Sequence, residues 1–465
     1  MKQFLSVLLF IFAVSSPSRG GEPVSSSLSL CRSLGIPVVE VFTVDEEEPT
    51  YEDFDAPEGC LGGSIRNAVK VPGRVLMTNA TDTLYDSGDY EKGVSGMTIK
   101  VRGNWSARQP KKPFKIKLQQ SADMLLRGDS RYNDRNWLLM PFFDLNYMIG
   151  WTVSELMNMR WTPQYSFVNL FFNGDYRGLY MLLESVERNP SCRLDVAENG
   201  FIAELDAYWW NEDVYAKATF EEPLNYTFKF PDENDLTTER FDSVQQILST
   251  AEQSMLDGTY QSYIDVKSFA RWMLTHDILG NRDGAGSNMF LTKYDDSDTT
   301  LIRMDCLWDL DVIMQCEGWD ELHYRYFFGR MFRSSNRAFV DSYVALWDKK
   351  KDRVTDGILQ FLDDYLHSPL CHAVDASIGL NNSRWALEMH SLSPSSVFIA
   401  KARTWFINRR NWLDYAIHDP ASILPVRQDE GSRRSFDLLG RRIDNRRSLN
   451  RQAIYIRNGK KMLNK

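Results

Sequence analysis

Polar side chains near the middle of the chain have the types and spacing of a site for a metal ion. Asp283 and Asn288 stand five positions apart in a glycine-containing segment, and Asp309 and Asp311 follow after the next predicted strands. Carboxylate and amide oxygens are hard ligands that suit magnesium, and a carboxylate can also orient a hydroxyl group for reaction. Asp and Asn beside glycine are ordinary turn residues as well, so a structural loop is the alternative.

The surroundings of Asp309 and Asp311 favour a function for these carboxylates. Both lie in an apolar and aromatic run over residues 304–313. A partly buried acid needs a proton, a cation or a metal, and two acids at i and i+2 of an extended chain point the same way. The alternative is a hydrogen-bonded acid at a strand end. A glycosidase pair is disfavoured, because acids this close on one chain are poorly placed to flank a glycosidic bond.

Basic residues that could meet phosphate oxygens lie earlier in the chain. Residues 114–118 alternate between apolar and basic side chains, which predicts a strand with Lys115 and Lys117 on one face. Arg102 precedes this strand in an Arg-Gly-Asn segment. A lysine on a strand face can pair with phosphate oxygens as a point charge. A charged edge strand is the alternative for any one of these residues.

Periodicity predicts the elements that would position these side chains. In the first half, a helix begins near Asp144, and strands are predicted over residues 35–42, 97–101, 114–118, 167–172 and 176–183. Asn173-Gly174 between the last two strands is a strong hairpin signal. After about residue 240 the patterns predict helices over residues 265–279, 340–367 and 396–417, with a strand pair over residues 289–294 and 300–304. This order predicts an α+β protein with two lobes and a cleft between them.

Length and composition limit the class of protein. The chain has 465 residues, 43% of them apolar and 13% aromatic, so it can build a large core and global disorder is excluded. The net charge is −9, but residues 426–465 carry 12 Lys and Arg against 4 Asp and Glu, which leaves −17 on the rest. An acidic body argues against nucleic acid as the main partner, because phosphate binding needs a positive face.

Residues 1–20 have the pattern of a secretory signal peptide. A short positive start precedes an apolar run over residues 4–14, and small residues follow at the expected cleavage point. The run is shorter than the roughly 20 apolar residues that a membrane-spanning helix needs. We therefore expect an exported protein, periplasmic, outer-surface or secreted, without a transmembrane segment. Its six cysteines permit disulfides in that setting, although a core of this size also accommodates free thiols.

Sequence blocks in a fixed order resemble the CotH kinase family, an atypical branch of the protein-kinase-like fold that includes relatives of spore coat protein CotH. The resemblance covers about residues 35–418 and rests on residues 100–104 with 112–118, residues 137–140 with Asp144, and residues 167–184, 280–288 and 308–311. It implies a bilobal fold, with a β-rich lobe over about residues 35–187 and a mainly helical lobe over about residues 240–418. The implied activity is transfer of the ATP γ-phosphoryl group to Ser or Thr of a protein, with magnesium.

The same resemblance implies a role for each candidate residue: Asp283 as catalytic base or orienter, Asn288, Asp309 and Asp311 as magnesium ligands, and Lys117, Arg102 and Glu184 as ATP-binding residues. Lys117 would neutralise phosphate charge, and Glu184 would lie near the adenine side.

Departures from the family pattern leave a second interpretation open. The chain has no G-x-G-x-x-G segment, residues 312–315 stand where Phe-Gly often follows the second acid, and Ile149-Gly150 stands where the family tends to have Arg-Asn. The partner is then either a Ser/Thr-containing protein substrate or a cell-surface protein. A catalytically inactive kinase-fold protein that binds such a partner is the alternative to an enzyme.

The C-terminal segment, residues 426–465, differs from the rest in charge and pattern. Residues 436–443 and 454–461 resemble the short C-terminal sorting segments of proteins secreted by the type IX pathway of Bacteroidetes. Proline at position 420 predicts that the preceding helix stops by Asp419. We expect a separable, β-rich appendage.

Overall fold

A computed structural model describes most of the chain. It covers residues 24–54, 56–58, 60, 64–66, 69–219, 224–281, 284, 288–314, 326–418, 435–436, 442–443, 454–457 and 460–463. The predicted signal peptide at residues 1–20 and the predicted base Asp283 lie outside the described residues. The cysteines that are described are all free thiols: Cys31, Cys60, Cys192, Cys306 and Cys371.

A closed barrel of seven strands forms the first part of the molecule. The strands of this part are β1 (Val38–Thr43), β2 (Glu52–Phe54), β3 (Ser64–Arg66), β4 (Val71–Thr78), β5 (Thr83–Asp86), β6 (Met97–Val101), β7 (Phe114–Ala122), β8 (Asp134–Pro141), β9 (Tyr165–Phe172) and β10 (Asp175–Glu184). The barrel order is β1-β9-β10-β8-β7-β6-β4, and β4 pairs back with β1 to close the ring. Only β1 and β9 run parallel within it. β5 pairs with β4 outside the ring, and β2 pairs with β3.

Alternation along the barrel strands separates two cores. One face of the strands fills the barrel interior with apolar side chains, among them Val39, Val75, Ile99, Ile116, Leu139 and Leu182. The other face of β8 and β10, including Leu138 and Leu183, belongs to the larger core that the helices share. The turn between β9 and β10 uses Asn173 and Gly174 at φ of 47° and 78°, as the Asn-Gly signal predicts.

A second antiparallel sheet follows the barrel strands in the chain, with two helices between its third and fourth strands. Its strands are β11 (Phe201–Asp206), β12 (Tyr215–Lys217), β13 (Asn225–Phe230) and β14 (Met289–Lys293), in the order β12-β13-β11-β14. A hydrogen bond of 2.8 Å from the Asn211 side chain to Asn104 Oδ1 joins this part to the loop after β6. The strand predicted over residues 300–304 is wrong as a full strand, because only the bridges Thr292–Arg303 and Ile264–Ile302 form there.

Helices make up most of the rest: α1 (Val24–Ser33), α2 (Asn146–Leu156), α3 (Thr238–Asp257), α4 (Val266–Leu279), α5 (Tyr326–Arg333), α6 (Ala338–Leu366), α7 (Pro369–Arg384) and α8 (Ser395–His418). The long α6 contacts α2, α4 and α8. The predicted ends of α4 are confirmed, since Asp265 accepts a hydrogen bond from the Ser268 N–H and Gly280 ends the helix at a φ of 58°. Within the described ranges, no helix combines the length and apolarity needed to cross a bilayer.

The C-terminal segment contributes short strands of its own. β15 (Ser435–Phe436), β16 (Arg442–Ile443), β17 (Ile454–Arg457) and β18 (Lys460–Leu463) form one sheet in the order β16-β15-β17-β18. The prediction of a mixed α+β protein, with a β-rich first part and helices later, is confirmed. The closure of the barrel and the second sheet were not predicted, because both depend on pairings between strands that are distant in sequence.

Candidate functional site

The loop after α4 meets the segment that carries Asp309. The Asn288 side-chain N–H donates to Asp309 Oδ2 over 2.9 Å. Asn281, which is fully buried, donates from its side chain to the Asp309 carbonyl, also over 2.9 Å. The structure therefore brings together two of the predicted magnesium ligands, and it fixes one of them through its backbone.

Asn288 and Asp309 both hold left-handed backbone conformations. Their φ values are 58° and 54°. Side chains other than glycine disfavour this region, and such conformations persist where surrounding contacts fix them, often at functional sites. The left-handed conformation of Asp309 interrupts the extended backbone that would point its side chain the same way as that of Asp311. Asp311 is exposed, while Asp309 is half-buried. The prediction that the two carboxylates point the same way from an extended chain is wrong for this reason.

The start of α2 lies against the same segment. The Tyr147 hydroxyl lies 3.5 Å from Asp309 Oδ1, and the Asn146 side chain donates to the Asp311 carbonyl over 2.6 Å. Asp144 accepts a hydrogen bond of 2.8 Å from the Asn146 backbone N–H. The prediction that Asp144 is the N-cap of this helix is wrong, because α2 begins at Asn146 and its N-cap is Leu145, which makes no side-chain cap hydrogen bond. Burial raises the pKa of Asp144 to about 6.

Arg102 reaches this region from the end of β6. Its Nη1 atom lies 2.8 Å from Met140 Sδ, and its guanidinium lies 5.9 Å from the centroid of the Trp308 ring. Burial lowers the pKa of Arg102, while the charges of Asp309 and Glu204 act in the opposite direction. The Arg102 guanidinium therefore lies within range of the Asp309 and Glu204 charges, and its role in binding ATP stays a prediction.

The outer face of β6 and β7 carries further lysines. Lys100 of β6 and Lys115 of β7 are cross-strand neighbours. Lys115 Nζ lies 2.6 Å from Glu187 Oε1, and burial lowers the pKa of Lys100, with the charge of Lys115 lowering it further. Lys117, predicted to neutralise phosphate charge, is exposed on the same strand. Lys115 is therefore engaged by charged neighbours on the barrel, while the phosphate role of Lys117 stays a prediction.

Charged residues of the second sheet complete the surroundings of the site. Lys229 of β13 pairs with Glu204 Oε2 over 2.9 Å. Leu205 of β11 and Met289 of β14 form the last pair between these two strands. Asp206 directly follows Leu205 and Asn288 directly precedes Met289, so both lie at the same end of the sheet. The pKa of Asp206 is raised to about 7, first by burial and then by the charge of Glu204, while the charge of Lys229 acts in the opposite direction. Sequence reasoning missed this group, although two acids alternating within an otherwise apolar strand were a usable signal.

Glu184 lies inside the protein, and its predicted position near the adenine side stays a prediction. It is fully buried at the end of β10, where Oε1 accepts from Arg127 over 2.8 Å and Oε2 accepts from the Gln164 backbone N–H over 3.1 Å. Arg127 and Gln164 also line a cavity of about 410 Å³ together with Tyr132 and Trp161. The carboxylate is therefore engaged by protein groups that stand between it and this cavity.

The residue after the predicted base packs tightly onto α4. A Cβ atom added to Gly284 would lie 2.2 Å from His276 Nδ1. Only glycine fits at this distance, so Gly284 lies directly against the buried His276 ring. Asp283 itself is outside the described residues, and its role as base stays a prediction.

One further group of potential metal ligands lies away from this region. Among the described residues, Asp348, Asp414 and His418 bring their ligand atoms within 4.8 Å of one another on the surfaces of α6 and α8. Lys351 Nζ already lies 2.5 Å from Asp414 and 3.6 Å from Asp348. The ammonium group supplies the positive charge that these acids need, so this group does not point to a metal.

Comparison with known proteins bears on the residues just described. Residues 99–367 match the family model described as CotH kinase protein. No curated protein matches the chain. The matched range includes Arg102 and Lys115, the start of α2, and the segment from Asn288 to Asp311. The chain belongs to the CotH kinase family.

Proposed function

We propose that this protein is an exported protein kinase of the CotH type, in which the barrel and the helical part act as the two lobes of a kinase-like fold. It transfers the γ-phosphoryl group of ATP to Ser or Thr of a protein acceptor with the help of magnesium. The observation that carries the proposal is the contact between Asn288 and Asp309, two strained residues that lie on opposite sides of β14 in the chain. The sequence pattern of residues 1–20 supports export.

The side chains at this contact fit a magnesium ion. Asp309 offers carboxylate oxygens and Asn288 offers an amide oxygen, which are the hard donors that magnesium takes alongside water and phosphate oxygens. When bound, the ion would neutralise phosphate charge in the nucleotide. Asn281 and Tyr147 hold Asp309 in position through its carbonyl and its carboxylate.

Positive charge on the barrel side fits the phosphate groups. Arg102 lies at the end of β6 within range of the Asp309 charge, and Lys100 and Lys115 are cross-strand neighbours on the outer face of β6 and β7. In the absence of a G-x-G-x-x-G segment, these side chains would bind the phosphates in place of backbone N–H groups. Asp283 would orient the acceptor hydroxyl, since it stands five residues before Asn288.

A specific packing feature favours the alternative, a catalytically inactive kinase-fold protein that binds a surface partner. At the position where the family tends to have Arg-Asn, Ile149 is fully buried and a Cβ atom on Gly150 would lie 2.6 Å from Leu310 Cδ1. Apolar packing between α2 and the Asp309 segment here takes the place of polar side chains that could contact a nucleotide.

Calorimetric titration of the full chain with ATP and magnesium separates the two functions. The kinase proposal expects saturable binding that disappears in Asp309→Ala and when magnesium is chelated. Asp311→Ala is the matched control, because its carboxylate is exposed, and it should keep most of the affinity. The absence of binding at millimolar ATP to the wild-type chain would favour the binding-protein alternative.

A further inference from the structure

A nearly buried ammonium group lies at the point where α2 ends. Lys350 of α6 is 7% exposed, and its Nζ atom donates to the Leu156 carbonyl over 2.9 Å and to the side-chain oxygen of Asn158. Two turns further along α6, a Cβ atom added to Gly357 would lie 2.7 Å from Leu156 Cδ2. The two helices therefore pack closely here, and they leave little freedom to the Lys350 side chain.

Further cations surround this ammonium group. Together they form the α2-end cluster, which consists of Arg271 of α4 and of Lys349, Lys350 and Arg353 of α6. Lys349 and Arg353 are exposed, while Arg271 is half-buried. Burial lowers the pKa of Lys350, and the charges of the other three members lower it further. The four positive charges are therefore close enough to repel one another.

The three outer members of the cluster lack acceptors. Within the described ranges, the side chains of Arg271, Lys349 and Arg353 make no ion pair and no hydrogen bond. The Nε atom of Arg271 is also shielded from solvent, and buried donors without an acceptor are uncommon in folded proteins. Like charges four residues apart, such as Lys349 and Arg353, destabilise a helix. The cluster therefore carries a cost that the described residues do not offset.

The other charges of this part of α6 are neutralised on a different face. Lys351 Nζ lies 2.5 Å from Asp414 of α8, and Asp352 accepts a hydrogen bond of 2.7 Å from Arg410 of α8. Asp356 also acts on Arg410. The acids of this stretch therefore serve the interface with α8, and the cluster stays unneutralised in a body whose net charge is −17.

We propose that the α2-end cluster binds a phosphate group, either of free phosphate or of a phosphorylated side chain. A phosphate monoester carries a charge of roughly −1.5 to −2 near neutral pH and three strong acceptor oxygens. Guanidinium groups match such oxygens with two parallel hydrogen bonds, and ammonium groups add point charges. Cations gathered around one buried ammonium group suit a compact dianion better than an extended acidic peptide, whose charges are spread along a chain.

This site lies at the opposite end of α2 from the Asn288–Asp309 pair. Tyr147, at the start of the helix, lies against the Asp309 carboxylate, while the Leu156 carbonyl at its end accepts from Lys350. Nine residues separate Tyr147 from Leu156, which corresponds to about 14 Å along a helix. The site requires neither ATP nor phosphoryl transfer, so it stands independently of the proposed function.

Calorimetric titration of the full chain, without ATP or magnesium and at constant ionic strength, tests the site. The probes are inorganic phosphate and a phosphoserine flanked by glycines, with the unphosphorylated peptide for comparison. Both phosphates should bind saturably, and Arg353→Gln should weaken their binding by about tenfold, because a charge-assisted pair of hydrogen bonds is lost. Lys351→Gln removes the same charge from the face that pairs with Asp414, and it should change the affinity by less than about twofold.

The two probes also distinguish the source of the phosphate group. Tighter binding of the phosphopeptide by about tenfold or more would identify a phosphorylated protein segment as the ligand, and equal affinities would identify free phosphate. Arg271→Gln is a second variant and should weaken binding to a similar degree, while the exposed Arg353 carries the test if that variant does not fold.

Three results overturn the proposal. The first is that neither phosphate binds the wild type, or that the unphosphorylated peptide binds equally well. The second is an unchanged affinity in Arg353→Gln, which would place the bound phosphate elsewhere, including the Asn288–Asp309 region. The third is an equal loss in Lys351→Gln, which would show a general effect of net charge.

Discussion

Asp309 is held by side chains from separate parts of the molecule. Asn288 and Tyr147 contact its carboxylate, and Asn281 binds its carbonyl. A left-handed backbone costs an ordinary residue roughly 1–2 kcal/mol, which these contacts offset. Because they come from α2 and from the loop after α4, a shift of either element would move the carboxylate.

Substitution of two neighbouring lysines tests which one meets phosphate. Lys115→Met should weaken ATP–magnesium binding by about tenfold, or roughly 1.4 kcal/mol, since a partly buried ammonium beside Lys100 is lost. Lys117→Met, on the same strand face but exposed, should change the affinity by less than about twofold. Calorimetry measures both values, and melting temperatures check that both variants fold. A larger loss in Lys117→Met would instead support the sequence prediction that Lys117 neutralises phosphate charge.

The raised pKa of Asp206 makes a prediction about stability and pH. The folded-state pKa of about 7 lies above the ordinary value of 3.8, so the unfolded chain loses its proton first. Between these two pKa values, rising pH therefore lowers the free energy of unfolding, by up to roughly 1.4 kcal/mol for each unit of pKa difference. Asp206→Asn keeps an acceptor for the Tyr208 N–H and removes the charge.

Melting curves of wild type and Asp206→Asn at pH 5 and pH 8 give the measurement. The variant should be more stable than the wild type at pH 8. This difference in stability should shrink at pH 5, where the side chain at position 206 is neutral in the folded state of both proteins. A difference that is the same at both pH values would show that Asp206 is not desolvated as described.

At the scale of elements, a buried lysine links the barrel to α7. Lys111, which is 1% exposed, donates to the carbonyls of Phe142 and Leu179 over 3.0 and 2.6 Å and to Asn381 Oδ1 over 2.8 Å. Burial lowers the pKa of Lys111 well below its usual value. The same Asn381 oxygen accepts from the Leu179 N–H, so β10 and α7 are joined twice.

Lys111→Met should destabilise the protein by roughly 2–3 kcal/mol, because it leaves buried oxygens without their donor. Lys112→Met is the matched control, since that side chain is only half-buried and donates to the carbonyls of Ala107 and Gln109. It should cost less than about 1 kcal/mol. Denaturation in urea measures both free energies of unfolding, and equal losses in the two variants would contradict a specific link through Lys111.

Local chemistry could be predicted from sequence, while contacts between distant elements could not. The Asn173-Gly174 turn and the caps of α4 depend only on residues that are close in sequence, and the structure contains them as predicted. The pairing of β1 with β4 and β9 depends on the whole barrel. At the site, the spacing of Asn288 and Asp309 was informative, but the left-handed turn that separates Asp309 from Asp311 was not visible in the sequence.

At the scale of the whole molecule, the folded unit extends beyond the matched range of the family. β1 and β4 precede residue 99 and close the barrel, and α8 follows residue 367. On α8, Arg409 is 1% exposed and donates to the Asp277 carbonyl near the end of α4 over 2.8 and 2.6 Å. A fragment of residues 99–367 would therefore lack strands of the barrel and a support of the loop that leads to Asn288.

Deletion of residues 426–465 tests whether the C-terminal segment is an appendage. Its described strands pair with one another, and its charge is opposite to that of the rest. The melting temperature of the remaining chain should stay nearly unchanged, while export or surface retention should be altered. A loss of several degrees would show that the segment packs into the core.

Transfer of labelled γ-phosphate from ATP is the most direct measurement of the proposed activity. The full chain, incubated with a serine-rich acceptor, should label the acceptor or itself only when magnesium is present. Asp309→Ala should lower incorporation by about 100-fold or more, and Asp311→Ala should lower it by less than about tenfold, with both variants melting close to the wild type. Equal incorporation by the wild type and Asp309→Ala would contradict phosphoryl transfer at the Asn288–Asp309 pair.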